Sequence, residues 1–357
     1  MRRINLLIIA KLSDEKITSK IAPLINSELV SSIYLARVKP LNIAGVVDVC
    51  PPSVFRKIAI VSEIYRFLQC IWLLCTKPVD IVMGIQMIPH GYYAGMLGLF
   101  FHKKVIQNII ESEEKIRSNY LSNTLLRRAQ AVVVRGDFTK QVLLEDPTIP
   151  GRIYHIPNFL NFENIPKPTK LINKKYDLIF IGSLTTSKRV DLFIELVGIL
   201  NDFHNLPSIK AVILGDGVMT DFAMQLIKKK NLENNIELYG YTPNVYPFLA
   251  ESKVYALTSQ YEGLPMSLIE AMSMGIPCVC FDISNIGTIV KNGENSFLCK
   301  YPDLRDFANN IYNLLKDEDL YNRMSAEAMK IRTEKKEEYS MSSIQKLWEN
   351  LLKDLVD

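Results

Sequence analysis

The sequence predicts an α/β protein made of two Rossmann-like domains facing each other across a cleft. Three observations carry that expectation. Short apolar, β-prone runs alternate with helical patterns along the chain. The alternation breaks once, from Glu163 to Lys174, where Pro166 and Pro168 stand among Lys167, Lys170 and Lys174, a composition that suits an exposed linker. Finally, 357 residues exceed what one core usually organises, so each half can bury its own.

Taken in order, Ile4–Ala10 reads as a buried first strand, followed by Val79–Gly84, Lys104–Ile109 and Ala131–Val134, with helical patterns between them. After the break, Asp177–Gly182, Lys210–Gly215, Ile236–Gly240, Val254–Leu257 and Pro277–Phe281 make a second set. The expected domains are 1–165 and 171–339. A last helix, from about Ser342 to Leu355, carries an apolar stripe at Ile344, Leu347, Leu351 and Leu355 that needs a partner surface, so 340–357 is expected to pack back on the first domain. No repeat of solenoid length is present.

Composition is that of an ordinary globular protein, 48% apolar with no low-complexity tract. Cys50, Cys70, Cys75, Cys278, Cys280 and Cys299 lack paired metal-ligand spacing and no secretory signal precedes them, so they read as reduced thiols of a cytoplasmic protein without a zinc site. The apolar stretches Ile58–Cys75 and His90–Phe101 are interrupted by Glu63 and Arg66 or too short to span a bilayer, and no transmembrane helix is expected. The net charge of +4 hides an asymmetry. Residues 1–170 hold 22 Lys and Arg against 13 Asp and Glu, whereas 171–357 hold 20 against 25. Arg2, Arg3, Lys103, Lys104, Arg127 and Arg128 are candidates for contact with anionic lipid, each basic residue near a surface contributing about 1 kcal/mol. The same residues equally suit a solvated face.

The chemistry concentrates in the second half. In Ser259–Gly275 the order is strand, loop, helix, with Pro265 at the helix start and Gly275 at its stop. Ligands of open parallel sheets collect outside the carboxyl ends of strands, where helix N-termini offer unpaired N–H groups. Glu262 then lies over a pocket and Glu270 in the early turns of the helix, one carboxylate for a reacting sugar and one for the vicinal diol of a ribose. A capped helix with two surface acids is the plainer alternative. After Gly182 and Ser183, Lys188 and Arg189 arrive beside another helix start, which suits a diphosphate and equally suits a solvated basic pair. Gly215-Asp216-Gly217 permits close backbone approach, and Tyr241 lies near a nucleobase or simply packs.

The order and spacing of Gly182 to Lys188, Gly215-Asp216-Gly217, Gly240, the Glu-Gly-Leu-Pro segment from Glu262 through Glu270, and Gly275-Ile276-Pro277 resemble the family 4 retaining glycosyltransferases of GT-B fold. The likeness is dense over 177–300, including Val290–Leu298, and thinner at Ile153–Asn158 and Pro89-His90-Gly91. It implies a nucleoside-diphosphate-sugar donor, UDP-sugar first, with Glu270 on the ribose and Lys188 on the diphosphate. Glu262 would be on the sugar with the N–H groups of Gly263 and Leu264, and Pro265 and Leu268 in the same segment would complete the donor site. His90 would come from the other domain to the sugar or phosphate, although a histidine there also suits plain packing. The implied acceptor is a hydroxyl of a glycan or lipid-linked glycan in cell-surface polysaccharide synthesis, at the cytosolic face of a membrane, with no nucleic acid partner.

Two departures stand out. Ser183 occupies the position where the family usually carries arginine, and Lys11–Lys16 contains no glycine where the family has a glycine-rich loop. Anomeric retention is expected by same-face attack, with no protein nucleophile, no cofactor and no metal. The acidic string Asp317-Glu318-Asp319 sits at a helix boundary away from strand ends. A sugar-nucleotide epimerase of the same architecture and an inactive nucleotide-sugar-binding module are the alternatives.

Overall fold

Ile4–Ile9 (β1) forms a strand because it is a run of β-prone aliphatics, all buried but Asn5, and only a strand with both faces covered accommodates such a run. In the computed structural model, which describes residues 3–110, 120–149, 152–167, 174–203, 206 and 208–356, it is an interior strand, third of seven, in a parallel sheet. Beside it lie Val30–Ala36 (β2) with Val46–Val49 (β3) on one side, and on the other Ile81–Ile85 (β4), Lys104–Asn108 (β5), Ala131–Val134 (β6) and Ile153–His155 (β7). Alternation along β1 feeds two cores: Leu6 and Ile8 point to one face, Leu7 and Ile9 to the other.

Two compact units result, Met1–Leu160 with Glu338–Asp357, and Asn161–Glu337. The terminal helix Met341–Val356 belongs to the first and packs along the helix Asp14–Ile25. Its buried face runs through Ile344, Trp348, Leu351, Leu352 and Leu355, whereas Leu347 is 37% exposed. Three of the four stripe residues expected from the sequence are therefore buried, and Trp348 takes the place of Leu347, its large indole covering more apolar area than a leucine. Part of the expected linker is also different. Phe162 and Ile165 are buried, and the Arg332 guanidinium donates to the carbonyls of Phe162, Ile165, Pro166 and Ser273, which fastens 162–166 to the second unit. Linker residues 168–173, Lys170 among them, lie outside the described residues, as does Arg2.

Helix Ala59–Thr76 packs on the first sheet through Cys70, Leu73 and Leu74, and its Arg66 is buried with a bond to the Ala10 carbonyl. Ile60, Ile64, Leu68 and Trp72, four residues apart, are exposed in a line. By length and hydropathy it is the one described helix that passes for a membrane span, despite Glu63 and Arg66 within it.

The second unit holds a six-stranded parallel sheet: Tyr176–Ile181 (β8), Ala211–Leu214 (β9), Ile236–Gly240 (β10), Ser252–Leu257 (β11), Cys278–Phe281 (β12) and Phe297–Cys299 (β13), in the order β10-β9-β8-β11-β12-β13. Phe180 against Phe193 and Phe281 against Phe307, at 5.5 and 4.9 Å between centroids, fill its core. This is the α/β class of two doubly wound, Rossmann-like units that the sequence predicts. In each sheet the winding reverses next to the first strand, at β1/β4 and at β8/β11, and a crevice opens outside the carboxyl ends at such a reversal.

Candidate functional site

At the β8/β11 reversal two loops are stitched to each other by their backbones. The Gln260 N–H donates to the Ser187 carbonyl at 2.8 Å, and the Thr258 hydroxyl donates to the Arg189 carbonyl at 3.0 Å. The loop after β8 starts at Gly182, where an added Cβ would stand 3.6 Å from Lys188 Cδ, so the lysine stem lies across the glycine. Its ammonium reaches Glu262 Oε1 at 2.5 Å, and Ser259 Oγ donates to the same oxygen at 2.7 Å. Glu262 is only 6% exposed, and at that burial a carboxylate needs the cation and the hydroxyl it has. Gly182, Lys188 and Glu262 are thus brought together.

The neighbouring turn explains two glycines. Gly215 has φ +141, and a Cβ on it would lie 1.9 Å from the Gly182 carbonyl oxygen. At Gly217 a Cβ would meet the Leu184 carbonyl oxygen at 2.5 Å. The bonds Gly182 N–H to Leu214 and Leu184 N–H to Asp216 draw the backbones that close, and no side chain fits between them.

Pro265 caps the helix Met266–Ser273 instead of standing inside it, with extended φ/ψ. Gly263 and Leu264 precede it, and Asn285 Nδ2 donates to the Gly263 carbonyl at 2.7 Å, which fixes the Glu-Gly-Leu-Pro turn. Glu270 lies one turn into that helix, with Tyr246 Oη donating to its Oε1 at 3.3 Å. Burial pushes the Glu270 carboxyl up to about 7, partly opposed by the Tyr246 bond. The loop therefore offers a lysine bonded to one carboxylate, and the helix that follows carries a second carboxyl poised near neutrality.

Other expected residues fall elsewhere. Arg189 has φ 51, and its guanidinium bonds both oxygens of Asp191 and the Tyr301 hydroxyl, so its charge is engaged at the start of helix Val190–Asn201. Leu268 is wholly buried. Tyr241 is 54% exposed at the end of β10, two strands from β8, or roughly 10 Å at ordinary strand spacing. Ser183 stands next to Gly182 and is exposed. In the first unit, His90 follows β4 at that sheet's reversal, 1% exposed, with neither ring nitrogen bonded. Burial and then the Arg66 charge hold its imidazole near 3, neutral at physiological pH. Among the described residues no group of three or more His, Cys, Asp or Glu converges as a metal site.

Thr258, Ser259, Asn285 and Tyr246 support the cluster but carry no sequence signal. Asn285 lies 22 residues from the carbonyl it holds, and polar residues in loops are too common to single one out.

Two Rossmann-like units, with Lys188 paired to Glu262 at the winding reversal of the second and Glu270 on the helix that follows, define a two-domain, doubly wound α/β protein. Residues 161–331 match the family described as Glycosyl transferases group 1, and this part of the chain belongs to that family. The poly(ribitol-phosphate) alpha-N-acetylglucosaminyltransferase of Staphylococcus aureus is 30% identical over 272 residues, covering 75% of this chain but 50% of that protein. The chain thus spans about half the length of this relative. A crystal structure of an S. aureus TarM mutant, in complex with Fondaparinux, alpha-GlcNAc-glycerol and UDP, is 25% identical with a TM-score of 0.67, over 80% of this chain and 58% of that one. Anabaena HepE shares the fold along nearly the whole length, at 14% identity and a TM-score of 0.78, covering 98% of this chain and 100% of HepE.

Proposed function

We propose that the chain is a retaining glycosyltransferase moving a sugar from a UDP-sugar to a hydroxyl of a glycan or lipid-linked glycan in cell-surface polysaccharide synthesis. The observation that carries this reading is the Lys188–Glu262 contact over Gly182 at the β8/β11 reversal, with Glu270 nearby in sequence on the helix that the same loop starts. The S. aureus relative's name, an N-acetylglucosaminyl transfer, and the UDP held in the TarM complex support the donor class.

In this mechanism the diphosphate takes the Lys188 ammonium, and the Glu270 carboxylate accepts the two ribose hydroxyl protons. Glu262 then accepts from hydroxyls of the donor sugar, beside the N–H groups of Gly263 and Leu264. The anomeric C–O bond to phosphate breaks as the acceptor oxygen bonds the same carbon on the same face, and the acceptor proton passes to the departing phosphate oxygen. Charge separates in that step, so the lysine's contact with the leaving phosphate supplies the largest stabilisation. His90, buried and neutral, is the first unit's candidate for a part in the transfer.

Thermal-shift titration with UDP, GDP and uridine tests the donor class. UDP at 100 times its dissociation constant should stabilise the protein by about 2.7 kcal/mol, with GDP doing less. No shift with any nucleotide rejects the reading. Incubating UDP-sugars without acceptor separates it from epimerisation, which yields an isomer of the sugar nucleotide, whereas a transferase releases UDP only slowly, by passing the sugar to water.

The acceptor side of this proposal includes peripheral contact with an anionic membrane at the cytoplasmic face. The exposed line Ile60, Ile64, Leu68 and Trp72, with Lys103, Lys104, Arg127 and Arg128 in the same unit, supports it. Vesicles containing anionic lipid should sediment the protein at low ionic strength, and Ile64→Glu with Trp72→Glu should abolish that. Equal sedimentation of the double variant removes the surface from the account.

A further inference from the structure

A second group of cations, at the carboxyl edge of the first sheet, has no carboxylate partner among the described residues. Arg135 directly follows β6 and is buried. Its Nη1 donates to the carbonyls of Ile156 and Pro157 at 2.8 and 3.4 Å and its Nη2 to Asn108 Oδ1 at 3.0 Å, while Nε meets no acceptor. Lys20, on the helix Asp14–Ile25, donates to Asn158 Oδ1 at 2.9 Å, one residue beyond the Pro157 that Arg135 touches. Every one of these acceptors is neutral. Among the described residues no carboxylate forms an ion pair with either cation, and Asp137, two residues after Arg135, is bonded to His155 Nδ1 at 2.8 Å.

The contrast lies in the same unit. Arg37 has Asp14 and Arg66 has Glu63, as buried cations ordinarily require. Arg135 and Lys20 instead meet on adjacent residues, Pro157 and Asn158: burial, then Arg135, then Lys16 hold the Lys20 ammonium well below its usual range, and burial brings Arg135 down to about 10. Two cations without a carboxylate partner among the described residues, one with an unbonded Nε–H and the other with a single bond to a neutral amide, match a polyanion of tetrahedral geometry better than any neutral partner.

We propose that Arg135 and Lys20 form a phosphate-binding site on the first unit, separate from the donor diphosphate site, and that it receives a phosphate of the acceptor. The assignment to an acceptor rests on the transfer reading, whereas the anion site stands without it.

Calorimetric titration of the full chain with inorganic phosphate and with glycerol 3-phosphate tests the site in the absence of donor. Wild-type protein and Lys188→Ala should bind both with similar affinity, and Lys20→Gln should weaken both at least tenfold. Arg135→Gln should do the same, but its bonds to 156 and 157 support the fold, so Lys20→Gln is the deciding variant. Tighter binding of the ester identifies an acceptor phosphate; tighter binding of the inorganic ion identifies free phosphate as the occupant. Unchanged affinity in Lys20→Gln, or loss of binding in Lys188→Ala alone, overturns the proposal. UDP binding that fails while phosphate binding persists would reject the donor reading and leave this site intact.

Discussion

Replacing Lys188 with alanine is expected to lower the rate of sugar transfer by about 10²- to 10³-fold, the loss typical of removing one preorganised donor at a developing charge. Ser183 provides no cation at the start of this loop and the Arg189 guanidinium is spread over Asp191 and Tyr301, so no neighbour in the β8 loop replaces the missing ammonium. The same change leaves Glu262, 6% exposed, with a hydroxyl as its remaining side-chain partner. Breaking such a pair from one side costs about 3 kcal/mol or more of stability. Adding Glu262→Gln to Lys188→Ala should therefore recover much of the lost stability and none of the rate. Steady-state kinetics and denaturant unfolding of the two variants separate the effects, and a double variant that regains activity would contradict the role given to the lysine.

Glu270→Gln carries the second large effect and gives it a pH signature. The folded-state carboxyl titrates near 7 against an ordinary 4.5, so between those values the folded protein holds a proton that the unfolded chain has released. Stability contributed by this group is then present below about pH 4.5 and falls as pH rises through 7, by about 3 kcal/mol in total. The glutamine variant should lack this fall and be more stable than the native protein at pH 8. Binding should run the other way. Ribose hydroxyls donate to a carboxylate, so uridine affinity of the native protein should increase as pH passes 7, and the variant should bind roughly 10- to 100-fold more weakly at pH 8 with a flat profile. Uridine is the appropriate probe because it has no phosphate to titrate. A native protein whose stability and uridine affinity ignore this pH range would remove Glu270 from the ribose.

How far the sequence carries this account differs from element to element. Runs such as Ile4–Ile9 and Tyr176–Ile181 announce themselves, because a parallel strand buried on both faces leaves a continuous aliphatic string. Glu262, Lys188 and Gly182 are legible for a related reason: each follows a strand end, and the winding of the sheet brings the loops after β8 and β11 together, so that Lys188 and Glu262 meet although 74 residues apart. Side-chain partnership is not legible that way. Arg189 and Lys188 are adjacent in sequence, yet the left-handed backbone at 189 turns one guanidinium to Asp191 while the preceding ammonium reaches Glu262. Tyr241 ends a strand as the others do, but two strands from the reversal, a distance that only the strand order reveals. Arg135 and Lys20 stand 115 residues apart with no motif to join them, and only burial exposes their unbalanced charge.

A crystal structure of the chain with UDP bound is the most direct test of the central claim, that the lysine and two glutamates at the β8/β11 reversal hold an activated sugar. The diphosphate should lie within hydrogen-bonding distance of Lys188 Nζ near Gly182, with both ribose hydroxyls on the Glu270 carboxylate. UDP bound elsewhere on the second unit, with Lys188 still closed on Glu262, would contradict the account.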